Sequence, residues 1–284
     1  AAYYALLPAA TAYALERITE QYPDLDKHMA ARFLELALVI GAEVPWMVFS
    51  HEGGHYRAAK VNGWDPKIEM TGWASGLTWY NVPAGALTTP EQFTVAGAAG
   101  VNQETINSVY MMRQWAVNGG ARVHEALSFM LAETNLALYA ARTTAIGGKA
   151  ASSDDMANYV RRLRATGQDI SAPKLMGMAM AADLLSAPFW AALIGGVRFL
   201  KDGERIVPYP SFSVGALEVT FPSFHMLLTT KGPILGGHTF LIPKGGVPIE
   251  LSAESRTDGS GGAVGIGLHG MALGTERIQL SPWV

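Results

Sequence analysis

At 284 residues the chain has room for one large or two modest folded units, and either arrangement can bury a sizeable core. A net charge of −3 with no basic stripe and no interleaved basic and aromatic residues argues against nucleic acid as a partner, and the absence of cysteine excludes disulfides and thiolate metal sites, leaving histidine and carboxylate as ligands. Only 16% of residues are charged and 49% are apolar, against roughly 25% charged in a typical soluble domain, so the chain is short of solvated surface.

Ala1-Ala2-Tyr3 fits a mature terminus left by removal of a leader, which gives the expectation of an exported protein. Up to about Leu200 the texture is helical. Runs rich in Ala, Leu and Met are broken at Tyr22-Pro23-Asp24, from Trp64 to Pro90, at Asn118-Gly119-Gly120 and from Gly147 to Asp155. The first long run, Leu34 to Phe49, is almost wholly apolar and leads directly into His51-Glu52-Gly53-Gly54-His55. On a helix, positions i and i+4 share a face, so His51 and His55 can reach one metal ion while Glu52 lies beside them. A catalytic zinc takes three protein ligands and keeps one position for water, which a neighbouring carboxylate deprotonates. Glu52 is therefore the expected general base, and Zn²⁺ the expected cofactor.

Thr89-Pro90-Glu91-Gln92 reads as a helix start, with Thr89 as the N-cap and Pro90 in the first turn. In the helix that follows, Gly97, Gly100, Glu104 and Ser108 share a nearly flat face, and Gly53 and Gly54 give the motif helix a matching flat spot. Small residues on both surfaces let two helix backbones approach closely, and this docking would bring Glu104 beside His51 and His55. The third metal ligand stays open, with Glu104 ranked first and His124 a further candidate. Asn102 is available to donate a hydrogen bond to a developing oxyanion.

His51-Glu52-x-Gly54-His55-x-x-x-Ala59-x-x-x-Gly63, followed by the short polar, β-like stretch Trp64 to Tyr80, resembles the first active-site segment of the site-2 protease family of membrane metallopeptidases. Ala96-Gly97-Ala98-Ala99-Gly100-Val101-Asn102 is similar to that family's small-residue motif ending in Asn, without its Pro and with the Asn one residue late. The resemblance covers roughly residues 36 to 108. It implies a membrane-embedded zinc peptidase whose third ligand is an Asp in a later apolar helix, where the family carries Leu-Asp-Gly. Asp183, in Ala181-Ala182-Asp183-Leu184-Leu185-Ser186, is the candidate on that basis, lacking the Gly and the upstream Asn-Pro.

Leu175 to Phe199 carries only Asp183 and Arg198 as charges and is long enough as one helix to cross a hydrocarbon layer of about 30 Å, with Pro188 as a kink. Met29 to Ser50 and Ala126 to Ala141 are weaker spans. Isolated acids in such segments, here Glu43, Glu133 and Asp183, mark functional candidates; the alternative is a soluble helical core whose acids bond one another. Met156 to Gly167 is a basic helix, its Arg161, Arg162 and Arg164 read as a solvated face.

Beyond Leu200 short β-like runs alternate with Gly and Pro: Ser211 to Phe221, His225 to Thr230, Ile234 to Ile242, Val247 to Arg256, Ala263 to Leu273 and Arg277 to Leu280. The expected fold is α+β, with a mainly helical, zincin-like part over residues 1–200, open to membrane embedding, and an antiparallel β-rich part over residues 201–284. His225, His238 and His269 are expected on strand or turn surfaces. The functional expectation is a zinc-dependent peptidase of the cell envelope, acting at or near a membrane on a protein or peptide. Its β-rich part would position substrate or contact other envelope proteins. The alternative is a structural or assembly component of an envelope complex with a non-catalytic zincin-like domain, and a soluble exported hydrolase comes third.

Overall fold

The computed structural model describes residues 27–147, 154–269 and 279–280, together with isolated positions between 13 and 24. The expected terminus at Ala1 to Tyr3 and residues 270–273 and 277–278 of the last two expected strands lie outside the described residues. Helices come first and an antiparallel sheet second, giving the α+β class.

Helix α1 (Met29–Val61) runs unbroken from the apolar stretch through the histidine motif, with Pro45 inside it. Its outer face shows Met29, Phe33, Leu34, Leu38 and Phe49 to the exterior. In the same half of the helix, Arg32, Glu35 and Glu43 turn inward instead. The Arg32 guanidinium donates to the carbonyls of Phe199 and Leu200, Glu35 accepts two bonds from Arg205 at 2.6 and 3.0 Å, and Glu43 accepts from the Ser128 hydroxyl at 2.5 Å. By length and composition α1 is able to cross a membrane.

Gly63 takes a left-handed φ of 74° and turns the chain into the hairpin β1 (Asp65–Gly72) and β2 (Ser75–Asn81), which folds back onto α1. Trp64 anchors this return, its ring stacked on Tyr80 at 5.0 Å and tilted against Phe93 at 4.7 Å. Helix α2 (Pro90–Asn118) opens with the expected capping box: the Thr89 hydroxyl accepts from the Gln92 amide and the Gln92 side chain accepts from the Thr89 amide. Gly119, in the left-handed conformation, ends it. Strand β3 (Gly120–Arg122) leads into α3 (Val123–Ile146), then α4 (Asp155–Ala165), α5 (Ala172–Leu185) and α6 (Ala187–Asp202).

The apolar run Leu175 to Phe199 is two helices, not one. They meet at 70° about Ser186, which ends α5 and begins α6. Pro188 lies in the first turn of α6, where its missing N–H and fixed φ suit a helix start and oppose continuation from α5.

Strand β4 (Ile206–Pro208) pairs with β3, and the chain continues into β5 (Ser211–Val214), β6 (Leu217–Thr220), β7 (Ser223–Thr229), β8 (Gly232–Pro243), β9 (Ile249–Arg256), β10 (Gly262–Leu268) and β11 (Gln279–Leu280). The main sheet runs β11-β10-β9-β8-β6-β5, with β7 also paired to β8. The single strand expected over 211–221 is a hairpin, because Gly215 at φ 62° reverses the chain between β5 and β6. Helices and sheet share a core of Met112, Trp115, Phe129, Phe199, Tyr209 and Phe240. The Trp115 indole also donates to the Val207 carbonyl at 2.8 Å.

The three histidines of the β-rich part are not on surfaces as expected. His225 and His238 are each 6% exposed and stack at 4.9 Å. Glu250 lies among them, 2.6 Å from His238 Nδ1 and 2.6 Å from His269 Nε2, and accepts from Arg113 of α2 at 2.7 and 2.9 Å. Burial alone would raise the Glu250 carboxyl, but its bonds to His238, His269 and Arg113 outweigh this and hold it well below the usual carboxylate range. The stabilisation from a carboxylate so depressed is complete above its ordinary value of 4.5 and is lost as pH falls below it. We expect Glu250→Gln to lower unfolding free energy by about 3 kcal/mol at neutral pH, as removal of one partner of a buried charged network does. The same variant should lose less further stability between pH 5 and pH 2 than the wild type, measured by urea unfolding across that range.

Candidate metal centre

Helices α1 and α2 cross at two glycines. A Cβ on Gly54 would overlap the Ala99 carbonyl and stand 2.8 Å from Gln103 Cβ, and a Cβ on Gly100 would collide with the Nε2 atoms of both His51 and His55. Gly53 and Gly97, the other two residues of the expected flat faces, have open space where a Cβ would go. The close approach decides how the histidines are oriented. His55 Nδ1 lies 2.6 Å from the Ala96 carbonyl oxygen, which only accepts, so Nδ1 carries the proton. His51 Nδ1 faces Glu104 Oε1 at 3.5 Å. Both Nε2 atoms therefore point the same way, 3.2 Å apart.

What they point at is Asp155. Its Oδ2 lies 2.9 Å from His51 Nε2 and 3.0 Å from His55 Nε2. Asp155 is the first residue of α4, set in place by its neighbour Asp154, whose Oδ1 caps the helix through the Ala157 amide at 2.7 Å and accepts from the Thr143 hydroxyl at 2.9 Å. Burial would raise the Asp155 carboxyl, yet the imidazoles of His55 and His51 outweigh burial and hold it below the ordinary range, so it is a carboxylate.

Among the described residues the cluster that could hold a metal is His51, His55 and Asp155, so the geometry favours Asp155 over the expected Glu104. Glu104 stands one step out, backing His51 on the nitrogen turned away from the centre, and burial pushes its carboxyl up while His51 pulls it down. Asp183 is on α5 and lines a separate small cavity with Glu133 and His225. His124 is buried at the start of α3 and is not part of the cluster. Asn102 does not face the site: its Nδ2 donates to the Leu228 carbonyl and its Oδ1 accepts from the Leu228 amide, both at 2.8 Å, so its amide fastens α2 to β7. Asp155 was not among the expected ligands. The Ser-Ser-Asp-Asp run ahead of a helical pattern marks an N-cap, but nothing local says that the second Asp turns toward residues a hundred positions earlier.

The donor set suits a divalent metal. Bonds of about 2.0–2.1 Å in tetrahedral geometry place ligand atoms about 3.3 Å apart, close to the observed 2.9 to 3.2 Å. A cation would displace the protons that His51 and His55 hold against Asp155, leaving two Nε2 atoms and one carboxylate oxygen as its donor set. The backing of each imidazole by Glu104 or the Ala96 carbonyl is the support that fixes tautomer and ring orientation in metal sites.

The triad opens onto a cleft of about 740 Å³ lined also by Glu52, Thr78, Tyr80, Asn135 and Tyr139. Glu52 is held by the Thr78 hydroxyl, which is 2.7 Å from Oε2 and 3.0 Å from the Glu52 carbonyl oxygen. Gly76 of β2 lets the hairpin pass over this carboxylate, since a Cβ there would come within 2.8 Å of Glu52 Cγ. The Tyr139 ring stacks on His51 at 5.2 Å and 13°.

No family model matches the chain, and no curated protein or solved structure matches it significantly.

We expect Gly54→Ala and Gly100→Ala to abolish metal retention, measured by elemental analysis of the purified proteins, because each forces α1 and α2 apart. Gly53→Ala and Gly97→Ala should retain metal and change stability by less than about 1 kcal/mol, in line with the helix propensities of the two residues.

Proposed function

We propose that this chain is a zinc-dependent peptidase of the cell envelope that acts on protein or peptide substrates at a membrane. The observation that carries this reading is the convergence of His51 Nε2, His55 Nε2 and Asp155 Oδ2 beside a cleft on which Glu52 stands. Bound zinc supplies a Lewis acid that polarises a carbonyl and lowers the pKa of water to about 7. The protein's own part falls to named residues. Glu52 takes the proton from the attacking water, Thr78 holds that carboxylate in position, and Glu104 and the Ala96 carbonyl stand behind the two imidazoles and keep their Nε2 atoms turned to the metal position.

The sequence resemblance to site-2 proteases supports the same assignment, and an Asp contributed by a later helix is the kind of third ligand it implies, although the residue is Asp155 and not Asp183. Membrane attachment is supported by the apolar outer face of α1 and by Leu184, Leu185, Trp190, Leu193, Ile194 and Val197, all exposed on the bent pair α5 and α6. The β-rich part would guide substrate or engage envelope partners.

Metal analysis with an activity assay tests the reading. About one zinc per chain is expected in the wild type, lost in His55→Ala and Asp155→Ala and kept in Asp183→Asn. Glu104→Ala should bind zinc about 10–100-fold more weakly, as loss of an outer-shell partner does. Glu52→Gln should keep the metal while cleavage of an unfolded protein in detergent falls at least about 10²-fold. Absence of metal after zinc is offered, or unchanged turnover in Glu52→Gln, would transfer the weight to the structural, non-catalytic reading.

A further inference from the structure

With both ends of the Asn102 amide committed to Leu228, a hydrolytic centre here needs another source of hydrogen bonds for the carbonyl under attack. Helix α3 offers two. Asn135 and Tyr139 stand at i and i+4, on one face of the helix, and both line the cleft that holds His51, Glu52, His55 and Asp155. The Asn135 Nδ2 is buried and has no hydrogen-bond partner among the described residues. A native fold rarely leaves such a donor unmatched without a use for it. Tyr139 is located by its ring, flat against the imidazole of His51. Its hydroxyl makes no hydrogen bond among the described residues, and it feels the charges of Glu104, Asp155 and Glu52. Two unused donors thus belong to residues that line the same cleft as the ligands and the base.

We propose that Asn135 and Tyr139 are the hydrogen-bond donors that hold the substrate carbonyl and stabilise the oxygen that becomes anionic during hydrolysis. The inference rests on the peptidase reading above and assigns a catalytic role that neither the histidine motif nor the resemblance contains. In the step itself, the water oxygen bonds to the carbonyl carbon while Glu52 takes one water proton. The π pair moves onto the carbonyl oxygen, and the Asn135 amide and the Tyr139 hydroxyl bond to that oxygen without giving up their protons. When the C=O bond reforms the C–N bond breaks, and Glu52 returns the proton to the leaving nitrogen. One water and one amide become one carboxylic acid and one amine. Donors placed in advance where charge develops act on the transition state more than on bound substrate, so their loss shows in kcat and not in KM.

Tyr139→Phe keeps the ring on His51 and removes only the hydroxyl; Asn135→Leu keeps the volume and removes the amide. The full chain in detergent is assayed on dye-quenched casein. In parallel, calorimetry measures affinity for a phosphinic peptide, whose tetrahedral oxygens stand in for the intermediate. Each variant is expected to lose about 10²-fold in kcat with KM within about threefold, to bind the phosphinic peptide more weakly by a comparable factor, and to keep its zinc and its melting temperature. Wild-type kcat and phosphinic affinity within twofold in Tyr139→Phe, while Glu52→Gln is inactive, would overturn the donor assignment and leave the peptidase reading standing. A fall in kcat that tracks loss of zinc would also overturn it, since the residues would then support the ligands and not the substrate. Should Asn135→Leu fail to fold, Tyr139→Phe alone decides. Wild-type turnover no greater than that of Glu52→Gln would overturn the peptidase reading and this inference together.

Discussion

The close crossing of α1 and α2 is the constraint on which the site depends. Only because Gly54 and Gly100 lack side chains does the Ala96 carbonyl reach His55 Nδ1 and Glu104 reach His51 Nδ1. Those two contacts orient the rings, so that both Nε2 atoms aim at one point. Asp155 closes that point from a third helix, and the β1–β2 hairpin closes the base side by holding Glu52 through Thr78. The helical part therefore works as a frame for one small volume. Asn102 and the Glu250 network then tie α2, the helix that supports both histidines, to the sheet.

A second constraint is the surface itself. Helix α1 directs Arg32, Glu35 and Glu43 inward to defined partners and leaves Phe33, Leu34 and Leu38 outside. The proposed membrane setting gives that pattern a cause, because hydrocarbon penalises the charges and not the side chains left outside. The motif sits toward the other end of the same helix, so the proposed anchor and the proposed chemistry lie on one continuous element.

Much of this was legible from local pattern. The histidine spacing, the Thr89 cap and the glycine faces are helix-periodic features, and a periodic feature reports which side of an element faces its neighbour. They led to Glu104 beside His51, which is where it lies, on the nitrogen turned away from Asp155. What failed was long-range or depended on competition for partners. Asp155 is the first residue of α4, and its neighbour Asp154 carries the same side chain, so only the tertiary fold distinguishes the cap from the proposed ligand. Asn102 satisfies a strand backbone that no helical pattern foresees. The break at Ser186 was present in the sequence as Pro188 but was outweighed by continuous apolar character, and the burial of His225 and His238 follows from pairing across the sheet.

The central claim is that two imidazoles and one carboxylate, His51, His55 and Asp155, hold the metal. Zinc K-edge X-ray absorption on the purified chain tests it most directly. The account predicts a four-coordinate site of nitrogen and oxygen ligands at about 2.0–2.1 Å, with the outer-shell scattering of two imidazoles. A spectrum with one imidazole or none, or a six-coordinate hydrated ion, would contradict it.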